Sequence, residues 1–162
     1  MLAERAIALL ERVTPPPPAH APVDERQSGV IPYAIVDKTP VFLLVTSRQR
    51  GRWIFPKGKI GKGMEPWESA HREAHEEAGV DGVIETTPVG AYRAWKTRGM
   101  RRVVIEVEMY PLRVERQHDA WRETGERYRH WVTLADASRL ITDKRIVALV
   151  RSFARTLREG GA

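Results

Sequence analysis

Residues 66–79, PWESAHREAHEEAG, carry the clearest helical pattern in the middle of a chain otherwise written for strands, and this narrows the fold more than any other feature. Pro66 suits the first turn of a helix and Gly79 its end. Ahead of it, residues 30–36 and 41–46 are rich in β-formers, with Asp37-Lys38-Thr39-Pro40 between them, which reads as a hairpin. A short strand over 52–55 is stopped by Pro56, and a Gly/Lys loop over 57–63 leads to the helix. Behind it, strands are predicted at 88–95, 102–112 and 128–133, then helical pieces at 134–140 and 145–157. Strands and helices mix without a regular βαβ repeat, so the expected class is α+β, a mixed sandwich.

The N-terminal part follows a different pattern. Residues 2–13 place apolar side chains at 2, 6, 9, 10 and 13, a helical repeat, and Pro15-Pro16-Pro17-Pro18 then forces an extended chain. The expected division is a helix and Pro-rich linker over 1–27 and one domain over 28–160, which suits a length of 162 residues. No apolar run approaches the roughly 18–20 residues of a membrane helix. Glu4, Arg5, Glu11 and Arg12 argue against a signal peptide, so a cytoplasmic location is expected. With no cysteine, thiol nucleophiles and cysteine metal sites are excluded. The net charge is +6, and 21 of the 27 basic residues are Arg. The guanidinium fork matches phosphate oxygens, so nucleic acid, a polyphosphate metabolite and an anionic surface all fit, as does an Arg-rich codon bias without functional meaning.

On the helix itself, Glu73, Glu76 and Glu77 fall within one arc, while Trp67, Ala70, Ala74 and Ala78 fall on another. Like charges spaced this way cost a few tenths of a kcal/mol, partly offset by Arg72 four residues before Glu76. Hard oxygen ligands so gathered suit Mg²⁺ or Mn²⁺. Three glutamates alone also fit a solvated acidic face.

The preceding loop adds specificity. Gly58, thirteen residues, then Arg72-Glu73-Ala74-His75-Glu76-Glu77-Ala78-Gly79-Val80 resembles the Nudix box, Gly-x5-Glu-x7-Arg-Glu-U-x-Glu-Glu-x-Gly-U, where U is a bulky aliphatic residue. Gly58, Arg72, Glu73, Glu76, Glu77 and Gly79 occupy its fixed positions. One position departs: Met64 stands where the first Glu belongs, with Glu65 and Glu68 as candidates to replace it. The likeness extends over about residues 26–141. Residues 43–48 and 52–58, then Val89-Gly90-Ala91-Tyr92 and the run 129–137, resemble diphosphoinositol polyphosphate phosphohydrolases and their bacterial relatives.

The resemblance implies a Nudix-type mixed β-sheet sandwiched between helices, here with an N-terminal helical extension. It implies hydrolysis of a diphosphate linkage, X–P–O–P, in a highly anionic substrate such as a diphosphoinositol polyphosphate or a dinucleoside polyphosphate. By the same likeness Glu73, Glu76 and Glu77, with the backbone carbonyl of Lys57, hold Mg²⁺ or Mn²⁺, and Arg72 orients a glutamate. The general base is Glu73, Glu76 or Glu77, or a Glu outside the box, where Glu123 and Glu126 are the candidates. Arg48, Arg52, Lys57 and Gly58 match phosphate-binding positions. A homodimer is in keeping with the family; no membrane partner is expected. Two alternatives stay open: an RNA 5′-end pyrophosphohydrolase, and a non-catalytic module that binds polyphosphate or RNA.

Two patterns mislead. His71-Arg72-Glu73-Ala74-His75 looks like a zinc-protease helix, but its Glu comes one residue late, and two half-buried histidines are expected instead. The glycines and lysines of 57–63 fail the P-loop pattern at Pro56 and Gly63. Arg93, Lys96, Arg98, Arg101 and Arg102, near Tyr92 and Trp95, could bind RNA, wall a phosphate pocket or tip a solvated hairpin. Trp53 and Trp131 are expected in the core.

Overall fold

The structure is a computed structural model that describes residues 15–160. The helix expected over 2–13 lies outside these residues. Eight strands form one mixed sheet: β1 (Glu25–Val36), β2 (Thr39–Thr46), β3 (Trp53–Ile54), β4 (Lys57–Lys59), β5 (Val80–Ile84), β6 (Gly90–Arg98), β7 (Arg101–Gln117) and β8 (Arg129–Thr133). The helices are α1 (Pro66–Glu73), prolonged by a π-helical turn Ala74–Ala78, then α2 (Leu134–Leu140) and α3 (Lys144–Gly160).

β1 and β7 are the spine. They run parallel from Glu25↔Ile105 to Tyr33↔Arg113. The β1–β2 hairpin closes through Asp37 and Lys38 alone, both with positive φ, as a tight two-residue turn requires. β7 is long enough to serve two partners, β6 along its first half and β5 along its second. β1 begins at Glu25, within the stretch expected as linker, because hydrogen bonds between Asp24 and Val104 already tie the chain to β7. Two strands were not foreseen. β4 converts the start of the Gly/Lys loop into a partner for Gln27–Gly29, and β5 follows the helix directly.

Alternation along the strands sorts side chains to the two faces. Ile31, Phe42, Leu44, Ile105, Val107 and Met109 face one way, onto Val147, Val150 and Phe153 of α3 and Ala137 of α2. Val30, Leu43, Val45, Tyr110 and Leu112 face the other, onto Ala70, Ala74 and Ala78. The sheet is therefore sandwiched between helices, as expected. All three alanines are fully buried. Such small side chains let the α1 backbone lie close on the sheet, so the opposite arc, with its glutamates, is held in place. Trp53 and Trp131 pack only partly into the two cores.

Candidate active site

The helix widens into its π-turn over Ala74–Ala78 and stops at Gly79, whose φ of 65° is the left-handed cap. A helix end leaves carbonyls without partners, and here the loop between β7 and β8 takes them. Glu123 N–H donates to Glu76 O at 3.2 Å, and His118 N–H to Gly79 O at 2.8 Å. Trp121 Nε1 donates to Glu77 O at 3.0 Å, and Arg129 Nη1 to Ala78 O at 2.9 Å. Arg129 also stacks on Trp121, 3.9 Å from its ring centre. The loop is thereby clamped onto the acidic end of the helix.

This docking builds a cleft of about 370 Å³ lined by Arg48, Glu73, Glu76, Glu77, Arg122, Glu123 and Glu126. The three box glutamates and both outside candidates are thus brought together. Glu77 is the innermost, 7% exposed, and its Oε2 is buried with no hydrogen-bond partner. Burial pushes its carboxyl up to about 8, outweighing the pull of Arg127, while Glu73 and Glu123 push it further. Glu73 is also raised, by burial and then by the charge of Glu76.

The cations divide into inner and outer. Arg127 is buried, with Nη2 3.2 Å from Glu77 Oε1, Nε 3.2 Å from Glu123 Oε2 and Nη1 2.9 Å from Thr46 O. Arg122 Nη1 meets Glu76 Oε1 at 2.9 Å, and Arg48 Nη1 meets Glu126 Oε2 at 3.2 Å and Glu123 Oε1 at 3.3 Å. Arg122 and Arg127 were missed by the sequence reading. The available signal was an arginine flanking each of Glu123 and Glu126, Arg122 before the first and Arg127 after the second, just ahead of a strand.

Other expected residues lie elsewhere. Arg52 is not among the cleft-lining residues; its backbone N–H donates to Ser47 Oγ. The Lys57 side chain turns to Gln27 Oε1, 3.5 Å away, and burial, with Lys96 adding to it, lowers its ammonium pKa. Arg72 places its guanidinium against Gly61 and acts on Glu73 through charge. Met64 packs its sulfur against Ser69 Oγ, and neither Glu65 nor Glu68 replaces the missing box carboxylate, since they cap α1 reciprocally. In the basic hairpin, Arg93 pairs with Glu106, Arg98 with Glu25, and Arg102 stacks on Trp95, so these cations are engaged within the fold.

The donor set fits a divalent cation of the Mg²⁺ type. Five carboxylates line the cleft beside two guanidinium groups, with Arg127 behind them, all Glu donors are hard oxygens, and Glu77 Oε2 is a buried oxygen left without a hydrogen-bond partner. Gly58 is part of the same fit. A Cβ there would stand 2.3 Å from Glu73 Oε1. The Gly58→Ala variant is expected to fold with a loss of about 1–3 kcal/mol and to displace Glu73. A melting curve beside a metal-dependence curve checks this, the metal requirement rising more than the stability falls.

Residues 25–153 match the NUDIX domain family. Nudix hydrolase 13, mitochondrial, of Arabidopsis thaliana is 29% identical over 157 residues, covering 83% of this chain and 76% of the relative. Nudix hydrolase 12, mitochondrial, of the same plant is 32% identical over 143 residues, covering 83% and 66%. The asymmetrical bis(5′-nucleosyl)-tetraphosphatase of Sus scrofa is 30% identical over 126 residues, covering 72% and 80%. Among solved structures, an Ap4A hydrolase of C. elegans superposes with a TM-score of 0.60 at 20% identity, covering 82% of this chain and 98% of that one. These relatives do not single out the diphosphoinositol polyphosphate branch. Members of the family generally use divalent metals such as Mg²⁺. No helix among the described residues is long and apolar enough to cross a membrane. A chain that matches over 25–153 and carries this helix, this sheet and this box belongs to the Nudix family and is a pyrophosphohydrolase.

Proposed function

We propose that the chain hydrolyses a dinucleoside polyphosphate, cutting one P–O–P linkage with Mg²⁺ or Mn²⁺ bound in the glutamate cleft. The observation that carries this is the convergence of Glu73, Glu76, Glu77, Glu123 and Glu126 on one cleft around the orphaned Glu77 Oε2. The likeness to a tetraphosphatase over 72% of the chain supports the substrate class.

Glu76 and Glu77, with the Lys57 carbonyl as the family resemblance implies, would hold the cation, and Glu73 stands beside them against Gly58. The bound ion supplies charge neutralisation at the diphosphate and a more acidic water. Glu73, whose carboxyl is raised by burial and by Glu76, is the residue placed to accept a proton from the attacking water. Arg127 fixes Glu77 and Glu123 in position from beneath. Arg48 and Arg122, 58% and 72% exposed, stand at the rim, where they exchange their glutamate partners for phosphate oxygens when substrate enters. Arg72 tunes Glu73 without touching substrate.

The test is a product-resolved screen of dinucleoside tetraphosphates, diphosphoinositol polyphosphates and triphosphorylated RNA ends with added Mg²⁺ or Mn²⁺. Preferred turnover of the dinucleotides is expected. Preference for the inositol compounds would move the substrate assignment to that class, and tight binding of all three without turnover would make the chain a binding module.

A further inference from the structure

The two helix histidines set aside as a protease decoy are not idle neighbours. His71 and His75 lie on the arc of α1 and its π-turn away from the glutamates, where β5 brings Asp81 and the end of β7 brings His118. The ligand atoms of His75, Asp81 and His118 all lie within 4.8 Å of one another. His75 Nδ1 is 3.1 Å from Asp81 Oδ1, and His118 Nε2 is 2.6 Å from Asp81 Oδ2. His71 Nε2 lies 3.6 Å from Asp81 Oδ1 and is buried without a hydrogen-bond partner. Two of these atoms come from residues one helical turn apart, one from a strand and one from a loop that backbone hydrogen bonds clamp in place.

We infer that His75, Asp81 and His118, with His71 as a fourth donor, form a transition-metal site, best suited to Zn²⁺, separate from the glutamate cleft. Zinc takes imidazole nitrogen and carboxylate oxygen at about 2.0–2.2 Å in tetrahedral array, which sets donor–donor separations of roughly 3.3–3.5 Å. The 3.1 and 3.6 Å distances already lie near that edge length. The His118–Asp81 hydrogen bond must open by somewhat under an ångström. Imidazole selects Zn²⁺, Cu²⁺ or Ni²⁺, whereas the all-oxygen cleft selects Mg²⁺ or Mn²⁺, so the two centres need not compete. A metal here ties the helix to the first residue of the loop that carries Glu123 and Glu126. Its role is structural: it holds the lid of the cleft to the helix end.

The experiment uses the full chain, stripped of metal and titrated with Co²⁺ and Zn²⁺ in excess Mg²⁺. One Co²⁺ per chain with the strong visible bands of a tetrahedral nitrogen–oxygen site is expected, unaffected by Mg²⁺ and retained in Glu76→Gln/Glu77→Gln. Binding should weaken about 100-fold or more in Asp81→Asn and in His118→Ala. The melting temperature of the unaltered chain should rise with Zn²⁺. Imidazole ¹⁵N resonances of the unaltered chain provide a readout free of any folding defect, with those of His75 and His118 moving on Zn²⁺ addition. Failure of these resonances to move, or loss of Co²⁺ binding in the glutamate variant rather than the histidine variant, overturns the site.

Discussion

Glu77→Gln is expected to lower Mg²⁺-dependent turnover by about 100-fold or more, a larger loss than removing an outer partner of a metal ligand causes, while making the metal-free chain more stable at alkaline pH. Both effects follow from one environment. Glu77 is buried, so its carboxyl is raised from 4.5 to about 8. A group whose folded pKa lies above its unfolded value contributes its full stability below the unfolded pKa and loses it as pH rises through the folded one. The metal-free chain should therefore lose stability between about pH 5 and pH 8, and added Mg²⁺ should restore it by taking the place of the proton. The glutamine variant has no such titration, so its stability should vary less across that range. Melting temperatures at pH 6 and pH 9, with and without Mg²⁺, beside initial rates, check the pair of effects. A variant that keeps full turnover would remove Glu77 from the metal set.

Arg127→Met should cost about 3–5 kcal/mol, because it strips the cation from a buried network and leaves two carboxylates facing each other. For a chain of this size that corresponds to a fall of roughly 10 °C in melting temperature. Arg127 bridges Glu77, Glu123 and the Thr46 carbonyl with three separate nitrogens, so Arg127→Lys should recover only part of the loss. By contrast, Arg48→Met and Arg122→Met should change the melting temperature little, since both side chains are mostly exposed. Their effect should fall on KM for anionic substrates. Calorimetry of the three arginine variants in one buffer separates the inner cation from the outer two.

Membership of the cleft divides the glutamates into two kinds. Glu73, Glu76 and Glu77 share it because of spacing on one helix, a regularity that any reader of residues 66–79 can compute. Glu123 and Glu126 share it because Trp121, Glu123, His118 and Arg129 donate to the free carbonyls of the helix end. Those donors are spread over the β7–β8 loop and β8, and their pairing with the helix requires β7 to run to Gln117 and β8 to return beside β2. Local pattern carries no such information. The same holds for Lys57, whose likeness to a phosphate-binding position did not determine that its side chain turns to Gln27.

The histidines show this contrast from the other side. On a helix drawn alone, His71 and His75 lack partners, and the failed protease motif makes them incidental. Asp81 and His118 reach them only because the chain turns at Gly79 into β5 and because β7 ends alongside.

The sequence by itself determined the class of fold, the box, the alanine and glutamate arcs of α1 and the last two helices, since each depends on periodicity or on spacing within one stretch. The tertiary structure alone decided the π-turn and its clamped loop, the buried Arg127, the capping use of Glu65 and Glu68, and the His–Asp cluster. Each of these depends on which backbone carbonyls and side chains from distant strands are left without water, and that is settled only when the sheet closes.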